Sequence, residues 1–207
     1  MPNWCNNNIT ISGDEGTIRT LTAVFKNLKE GDDVFKSLIG IPSHMSEGDY
    51  KEKWYDTNIE WFGTKWDISY GEHMITFTKD EISLFCETAW SPPIPFMENL
   101  CKMYKVNGYI FYSEGGIGFA GQTTFTWVDG ELEVYDEECE YLEGLYKFSK
   151  EEFWSEVEGR VDCILDEDQS LDDFLSEFIF ISDEDKLELT RLYNETIKSN
   201  DEESESE

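Results

Sequence analysis

An aromatic cluster with one lysine stands out between residues 61 and 66, where the sequence is Trp61-Phe-Gly-Thr-Lys65-Trp66. Aromatic rings offer stacking surface and a lysine offers a charge that can lie over a ring, so these residues are suited to recognition. Trp90, followed by Ser-Pro-Pro, offers the same chemistry. Trp61, Lys65, Trp66 and Trp90 are therefore a candidate recognition patch. The favoured interpretation is that the tryptophans pack over the sheet and Lys65 binds local carbonyls, because buried aromatic area stabilises small domains strongly.

Acidic residues form the second candidate site. The formal net charge is -30, and residues 131–207 hold 28 Asp or Glu against six Lys or Arg. On two helices side by side this density gives one charge per ~2 Å of axis, close to the ~1.7 Å of duplex DNA. We expect an acidic helical face that binds a basic surface; the alternative is a solvated face that maintains solubility. The predicted face comprises Asp136, Glu137, Glu138, Glu140, Glu143, Glu151, Glu152, Glu156, Glu158, Asp166, Glu167, Asp168, Asp172 and Asp173.

Motifs for catalysis are weak in this sequence. His44 and His73 are the only histidines, and neither a Gly-x-Ser-x-Gly elbow nor a phosphate loop is present. The glycine-rich run at residues 115–121 lies between two predicted strands, whereas a phosphate cradle needs a helix N-terminus behind it. A tight turn is therefore expected there. These observations favour a non-enzymatic protein without a cofactor.

Metal sites are also weakly indicated. Asp166, Asp168, Ser170 and Glu177 have the spacing of a calcium loop, but Leu171 stands where the loop needs glycine. A linker followed by a helix cap at Ser170 is the preferred interpretation. The five cysteines are scattered without a Cys-x-x-Cys pair, so we expect reduced packing residues rather than a zinc or redox site.

The elements that must position these residues centre on a strand that begins at Ile82 and stops at the double proline Pro92-Pro93. Alternating residues predict further strands at 6–12, 74–78 and 109–113, and three-and-four spacing predicts helices at 18–28 and 95–104. The order is strand, helix, strand, strand, helix, strand. This α+β order predicts a ferredoxin-like antiparallel sheet, extended by a hairpin of 119–128 and 131–135.

The chain is expected to contain two regions and a tail. Residues 1–136 form the ferredoxin-like domain, with an ordered, aromatic-rich insertion at 35–66 that has no regular period. Residues 137–198 form an acidic helical module, with helices starting near Ser149, Ser170 and Ser182. Residues 199–207 are predicted to be a disordered acidic tail.

Four separated motifs resemble those of a known family: Met1-Pro-Asn-Trp-Cys-Asn-Asn7, the Trp61 to Trp66 run, Thr88-Ala-Trp-Ser-Pro-Pro93 and Phe119-Ala-Gly121. Together they resemble the YubB-like proteins of bacteriophages and plasmids, which carry a ferredoxin-like domain. The resemblance covers residues 1–130 and departs at the extra Phe62 and in the acidic C-terminal region. It implies an origin on a mobile element and a place in the bacterial host cytoplasm, and it brings no established activity.

These expectations combine into one leading hypothesis. The protein is a non-enzymatic accessory protein that binds a basic or nucleic-acid-binding surface of a host protein, as a DNA mimic that inhibits a defence system. Its own acidity disfavours direct binding to nucleic acid or to an anionic membrane. No apolar run approaches the ~18 residues of a membrane span. The alternative is a small-ligand binding or sequestering module that uses the Trp61 to Trp66 and Trp90 region, and a homodimer is left open.

Overall fold

The computed structural model describes residues 3–71, 74–164 and 170–204. The chain divides into two compact units, Met1–Tyr141 and Leu142–Glu207, called here the sheet unit and the helical unit. The predicted boundary after residue 136 falls inside a strand that continues to Glu140, so it is corrected to residue 141. Among the described residues, no helix has the length and apolar character required to cross a membrane.

Six antiparallel strands form the sheet, in the order β2-β3-β1-β4-β5-β6. They are β1 (Trp4–Ser12), β2 (Ile75–Phe77), β3 (Glu81–Ala89), β4 (Asn107–Glu114), β5 (Phe119–Val128) and β6 (Glu131–Glu140). Helices α1 (Glu15–Asn27) and α4 (Ile94–Tyr104) complete the β-α-β-β-α-β order of the first four strands. The predicted ferredoxin-like α+β fold with an added hairpin is confirmed.

Strand alternation places the core on one face of the sheet. In β1 the side chains of Cys5, Asn7, Ile9 and Ile11 are buried, whereas the side chains between them are exposed or half-buried. The apolar stripes of α1 and α4 join the same core cluster. The opposite face of β1 begins with Trp4, and this residue becomes important for the candidate site.

The insertion at 35–66 is more regular than its sequence indicated. It contains α2 (Val34–Ile39) and α3 (Glu47–Trp61), where an irregular segment was expected. Helix α3 opens with a capping box between Ser46 and Asp49, and it kinks at Lys53. Its buried residues, Thr57 and Asn58, are polar. Helix α3 therefore lacks the regularly spaced apolar residues by which a helix is recognised in a sequence.

The helical unit packs around aromatic side chains. It contains most of α5 (Tyr141–Phe148), then α6 (Lys150–Ile164), α7 (Leu171–Ser176) and α8 (Asp183–Ser204). Phe153, Phe174 and Phe178 are buried, and their rings contact one another or neighbouring rings. The helix starts predicted at Ser149, Ser170 and Ser182 are confirmed.

Two C-terminal predictions need correction. Helix α5 was not predicted, because the strand before it was expected to end at Tyr135 and Gly144 interrupts its apolar pattern. Helix α8 continues to Ser204, where a disordered tail was expected from residue 199. Residues 205–207 of that predicted tail lie outside the described residues.

Candidate functional site

Five side chains of the sheet unit form an exposed cluster, called here the aromatic surface: Trp4, Tyr55, Lys65, Trp66 and Trp90. The ring centroid of Trp66 lies 6.2 Å from that of Trp4 and 6.3 Å from that of Trp90. The Lys65 ammonium lies 4.4 Å from the centroid of Trp66, 5.0 Å from that of Trp90 and 5.9 Å from that of Tyr55. Lys65 therefore makes cation–π contacts with three rings at once.

The three tryptophans keep a large part of their surface in solvent. Trp4 is 48% exposed, and Trp66 and Trp90 are each 38% exposed. Leaving contiguous apolar area in water is unfavourable, and patches of this kind on a folded protein mark binding sites. Packing therefore covers Trp66 and Trp90 only in part.

A loop clamped to the end of β3 holds Lys65 and Trp66 in place. The backbone N–H of Ala89 donates to Thr64 Oγ1 at 3.1 Å, and Thr64 is fully buried. Ser91 Oγ donates to the Gly63 carbonyl at 2.7 Å, and Thr88 Oγ1 donates to the Ser91 carbonyl at 2.7 Å. These bonds fix the loop against the strand and its following turn.

The backbone of Trp90 adopts the left-handed conformation, with φ at 69°. Bulky residues rarely adopt it, because Cβ approaches the following carbonyl. The Trp90 N–H donates to the Asn3 carbonyl at 3.0 Å, which ties the turn to the segment that leads into Trp4. Below it, the buried Asn7 amide donates to Thr88 Oγ1 at 2.9 Å and to the Cys86 carbonyl at 3.2 Å. The rings are thus carried on a rigid, hydrogen-bonded base.

The structure brings together three of the four residues predicted for the recognition patch. Lys65, Trp66 and Trp90 are neighbours, but Trp61 packs against the core and its indole N–H donates to the Gly40 carbonyl at 3.1 Å. Trp61 is therefore corrected to a packing residue. Trp4 was missed, although its register opposite Ala89 places it next to Trp90.

A groove of about 490 Å³ opens beside Trp4, and we call it the Trp4 groove. Its walls combine aromatic and acidic side chains, including Trp4, Glu30, Asp67, Tyr70, Phe85 and Glu87. Phe85 is half exposed, and Glu87 is exposed on the same outward face of β3. The groove therefore joins apolar surface to negative charge.

Asp67 is held in the groove by backbone donors. Its carboxylate accepts the N–H groups of Phe35, Lys36 and Ile68, each at 2.7 Å, so it caps the first turn of α2 from a distant part of the chain. Desolvation by burial nevertheless raises the pKa of Asp67 to about 6, with the nearby charge of Asp33 adding to the effect.

The predicted acidic face is divided between the two units. Asp136, Glu137, Glu138 and Glu140 lie on strand β6, because the pairing of β5 with β6 continues to Phe119 and Glu140. They are corrected from a helical to a strand position. Asp136 also anchors the sheet, since it accepts hydrogen bonds from Thr123 Oγ1 at 2.5 Å and from the Tyr112 hydroxyl at 3.1 Å.

The remaining predicted acids belong to the helical unit or lie outside the described residues. Glu143 is on α5, four are on α6 and two are on α7, namely Glu151, Glu152, Glu156, Glu158, Asp172 and Asp173. Asp173 is used locally, because its N–H and its carboxylate both bond the Ser170 hydroxyl. Asp166, Glu167 and Asp168 fall in the segment that the structure does not describe.

A second groove, of about 650 Å³, lies within the helical unit between α6 and α8, and we call it the α6–α8 groove. It is lined by Trp154, Leu187 and Leu192, with acidic neighbours that include Glu158 and Glu184 and one basic neighbour, Arg191. Leu187 is 74% exposed. This groove places apolar side chains among exposed carboxylates.

Residues that resembled catalytic or phosphate-binding groups have structural roles. Burial raises the pKa of the Cys5 and Cys101 thiols to about 12 and raises that of Cys86 as well, so these thiols are poor nucleophiles. In the glycine-rich turn, the buried Glu114 carboxylate accepts the N–H groups of Gly116 and Ile117. The turn amides that a phosphate would need are bound to the chain's own carboxylate.

The remaining candidates for catalysis or metal binding do not come together as a site among the described residues. His44 is exposed in a loop, His73 lies outside the described residues, and the side chain of Cys163 is likewise not described. Within residues 3–71 and 74–161 and the described part of the C-terminal helices, no three His, Cys, Asp or Glu side chains converge as a metal ion requires. Ser170 acts as the expected helix cap.

The strand order and the added hairpin define an α+β protein of the ferredoxin-like class. Residues 45–157, more than half of the chain, match the family described as the ferredoxin-like domain in Api92-like protein. The chain therefore belongs to this family of Api92-like ferredoxin-like domains. The match begins just before α3 and ends in α6.

One solved structure is also similar. It is the crystal structure of protein Api92 from Yersinia pseudotuberculosis, with 11% sequence identity and a TM-score of 0.37. The alignment covers 68% of this chain and 98% of that chain. No curated protein matches the sequence. The finer resemblance to YubB-like proteins of phages and plasmids stays a prediction.

Proposed function

We propose that the chain is a non-catalytic binding protein whose aromatic surface contacts a partner protein in a bacterial host. The observation that carries this proposal is the exposure of Trp4, Trp66 and Trp90 around Lys65 on a rigid base. Tryptophan and tyrosine are the side chains that most often dominate binding energy at protein interfaces. Their rings are already ordered, so little conformational entropy is lost on binding.

The form of the aromatic surface favours a protein partner over a small ligand. Its rings are tilted rather than parallel, with interplanar angles of 40° and 31°, so neighbouring rings do not form the parallel walls that would hold a flat ligand. A surface of this kind buries area against another surface. An aromatic side chain has about 150–250 Å² of surface, and the exposed parts of the three tryptophans together offer on the order of 200–300 Å² to an interface of about 800 Å² per partner.

Capture from host lysate tests this proposal with matched variants. The full chain, Trp66→Ala, Trp90→Ala and the control Tyr135→Ala are compared, because Tyr135 is exposed on β6 and is not part of the aromatic surface. We expect a partner retained by the full chain and by Tyr135→Ala but lost from both tryptophan variants. Equal retention by all four proteins would contradict the proposal.

A second candidate function is recognition of a basic partner by the helical unit, as a nucleic-acid mimic that inhibits a host defence system. The specific support is the α6–α8 groove, where Trp154 and Leu187 lie among carboxylates. An amphipathic basic helix has the complementary pattern of apolar anchors and positive flanks. The helical unit keeps the charge density on which this hypothesis depends, since it holds 22 Asp or Glu in 66 residues after the acids of β6 are assigned to the sheet unit.

Salt dependence and charge variants test the second candidate. We expect a partner bound by this unit to be released by salt and to bind less tightly to Glu158→Gln/Glu184→Gln. The control Glu131→Gln/Glu133→Gln removes the same charge from β6 and should bind like the full chain. Equal weakening by both double variants would mean that net charge alone is responsible.

The place of the protein on a phage or plasmid and in the host cytoplasm belongs to the same proposal. It is supported by the YubB-like motifs in the sequence, three of which contribute to the aromatic surface. The start of the chain supplies Trp4, the Trp61 to Trp66 run supplies Lys65 and Trp66, and Thr88 to Pro93 supplies Trp90. Deletion of the gene from a mobile element, with transfer or infection efficiency measured in several hosts, tests this origin.

A further inference from the structure

We infer that the Trp4 groove binds an alkylammonium cation, such as a polyamine or the end of a lysine side chain. This site goes beyond the proposed partner surface and shares only Trp4 with it. The groove volume of about 490 Å³ lies in the range of small-molecule sites. Its walls supply the two features that recognise an organic ammonium group, which are aromatic faces and carboxylates.

The strand register places these features on one face. Trp4 is opposite Ala89, and Glu87 is opposite Asn6, so Trp4 and Glu87 are diagonal neighbours at roughly 7–8 Å. Phe85 is the next outward residue of β3 after Glu87. A ring, a carboxylate and a second ring therefore follow one another along the groove.

The charged side chains described in the lining of the groove are all acidic. Glu30, Asp67 and Glu87 line it, and none of its described lining residues is Lys or Arg. The carboxylate of Asp67 is oriented by three backbone donors, so its position is fixed before any ligand arrives. A cation entering this groove therefore meets acidic, aromatic and neutral side chains, but no basic one among those described.

The spacing of the acids favours an organic cation over a metal ion. No three described carboxylates converge on one point as a bound metal ion requires. An alkylammonium group makes separate hydrogen bonds and places its hydrocarbon chain against rings. The mixture of Tyr70 and Phe85 with distributed acids fits this chemistry.

Calorimetric titration of the full chain with n-pentylammonium tests the inference, at about 150 mM NaCl to screen diffuse attraction. We expect saturable binding that Trp4→Ala abolishes and Glu87→Gln weakens about fivefold, which corresponds to loss of one exposed charge contact. The matched control Glu131→Gln removes one charge from β6 and should leave the affinity unchanged. 1-Pentanol, the neutral analogue, should not bind.

Two further probes distinguish the sources of the cation. Spermidine represents a free polyamine and Nα-acetyl-lysine methylamide represents a protein side chain, and the tighter of the two identifies the source. Non-saturable heats, or equal weakening by Glu87→Gln and Glu131→Gln, would overturn the inference as nonspecific counterion binding. Trp66→Ala should retain n-pentylammonium binding while losing the partner, so failure of this site and failure of the partner proposal give different results.

Discussion

At the scale of single residues, Trp90 is one of three non-glycine residues with a positive φ in the described part of the chain. Its φ of 69° is unfavourable for any residue with a Cβ, yet a tryptophan is held there by neighbouring hydrogen bonds. Backbone strain at an exposed aromatic side chain is typical of a position that serves binding rather than stability. The same geometry gives a direct test.

Replacing Trp90 by glycine and by alanine should have unequal effects on stability. Both variants lose the ring, but only glycine relieves the left-handed backbone, so Trp90→Gly should be more stable than Trp90→Ala by about 0.5–1 kcal/mol. Urea unfolding of the two variants measures the difference. The opposite order would mean that the turn relaxes when the ring is removed.

Asp67 gives a pH-dependent test. The pKa of Asp67 is raised to about 6 in the folded protein, above its ordinary value of 3.8, so the native state binds the extra proton between these values. Stability linked to Asp67 therefore increases as the pH falls from 7 to 4 and decreases as it rises.

Comparison with Asp67→Asn isolates this effect. The variant should be less stable than the full chain at pH 7, by about 1–3 kcal/mol, because an amide cannot accept all three N–H groups. The gap should widen by about 1–2 kcal/mol at pH 4.5, since only the aspartate gains a proton. Denaturant unfolding at both pH values measures the difference in the free energy of unfolding between the full chain and Asp67→Asn. A difference that becomes smaller at low pH would contradict the raised pKa of Asp67.

At the scale of elements, the loop of Gly63 and Thr64 determines whether the aromatic surface exists. A Cβ on Gly63 would lie 2.4 Å from Pro95 Cδ, and its φ is 83°. Gly63 therefore allows the loop to pass close to the start of α4. Thr64 then reaches the end of β3.

Gly63→Ala should destabilise the protein by about 2–4 kcal/mol, through both the steric contact and the left-handed backbone. Gly31→Ala is the matched control, because its φ is 87° but its Cβ would have no neighbour within 4 Å. The control should cost about 1 kcal/mol. Thermal unfolding measures the stability of both variants. Similar losses of stability would show that the contact of the new Cβ with Pro95 is relieved by a small shift of the loop.

The sequence predicted the longer elements whose buried face is apolar, but it missed α2, whose buried residues are apolar and whose length is only six residues. Strand β3 and helix α4 were found because Ile82, Leu84, Phe96 and Leu100 are buried at regular spacing. Helix α3 was missed because its buried residues are polar and most of its length is exposed. The length of β6 was underestimated because its later residues are nearly all acidic and carry no alternation.

The candidate site was predictable only where its residues are close in the chain. Lys65 and Trp66 were predicted together because they are adjacent, and Trp90 was added on residue type. Trp4 depends on the register of β1 against β3, which no local pattern contains. Trp61 has the same residue type and is half-buried against the core, so residue type alone could not separate it from Trp66.

At the scale of the whole molecule, negative charge is shared almost evenly. The sheet unit holds 24 Asp or Glu against ten Lys or Arg, and the helical unit holds 22 against six. The sequence predicted that the acids are concentrated after residue 130. Strand β6 carries six of them and belongs to the sheet unit, so the two units have similar net charges. The helical unit has less than half as many residues, and its charge density is therefore still the higher of the two.

This charge should make stability depend on salt. Repulsion among excess carboxylates destabilises the folded chain and is screened by ions, so Tm should rise between about 10 and 300 mM NaCl. Glu131→Gln should raise Tm more at the low salt concentration than at the high one. Differential scanning calorimetry measures both effects, and a Tm that falls with salt would indicate that ion pairs outweigh repulsion.

The measurement that tests the central claim most directly is photocrosslinking at the edge of the aromatic surface inside host cells. A photoreactive phenylalanine derivative replaces Tyr55 in one protein and the control residue Tyr135 in another, and both positions are exposed. We predict a discrete adduct from position 55 that disappears when Trp66→Ala is added, and none from position 135. Adducts of equal yield at both positions, or an adduct at position 55 that survives Trp66→Ala, would contradict the assignment of this surface as the binding site.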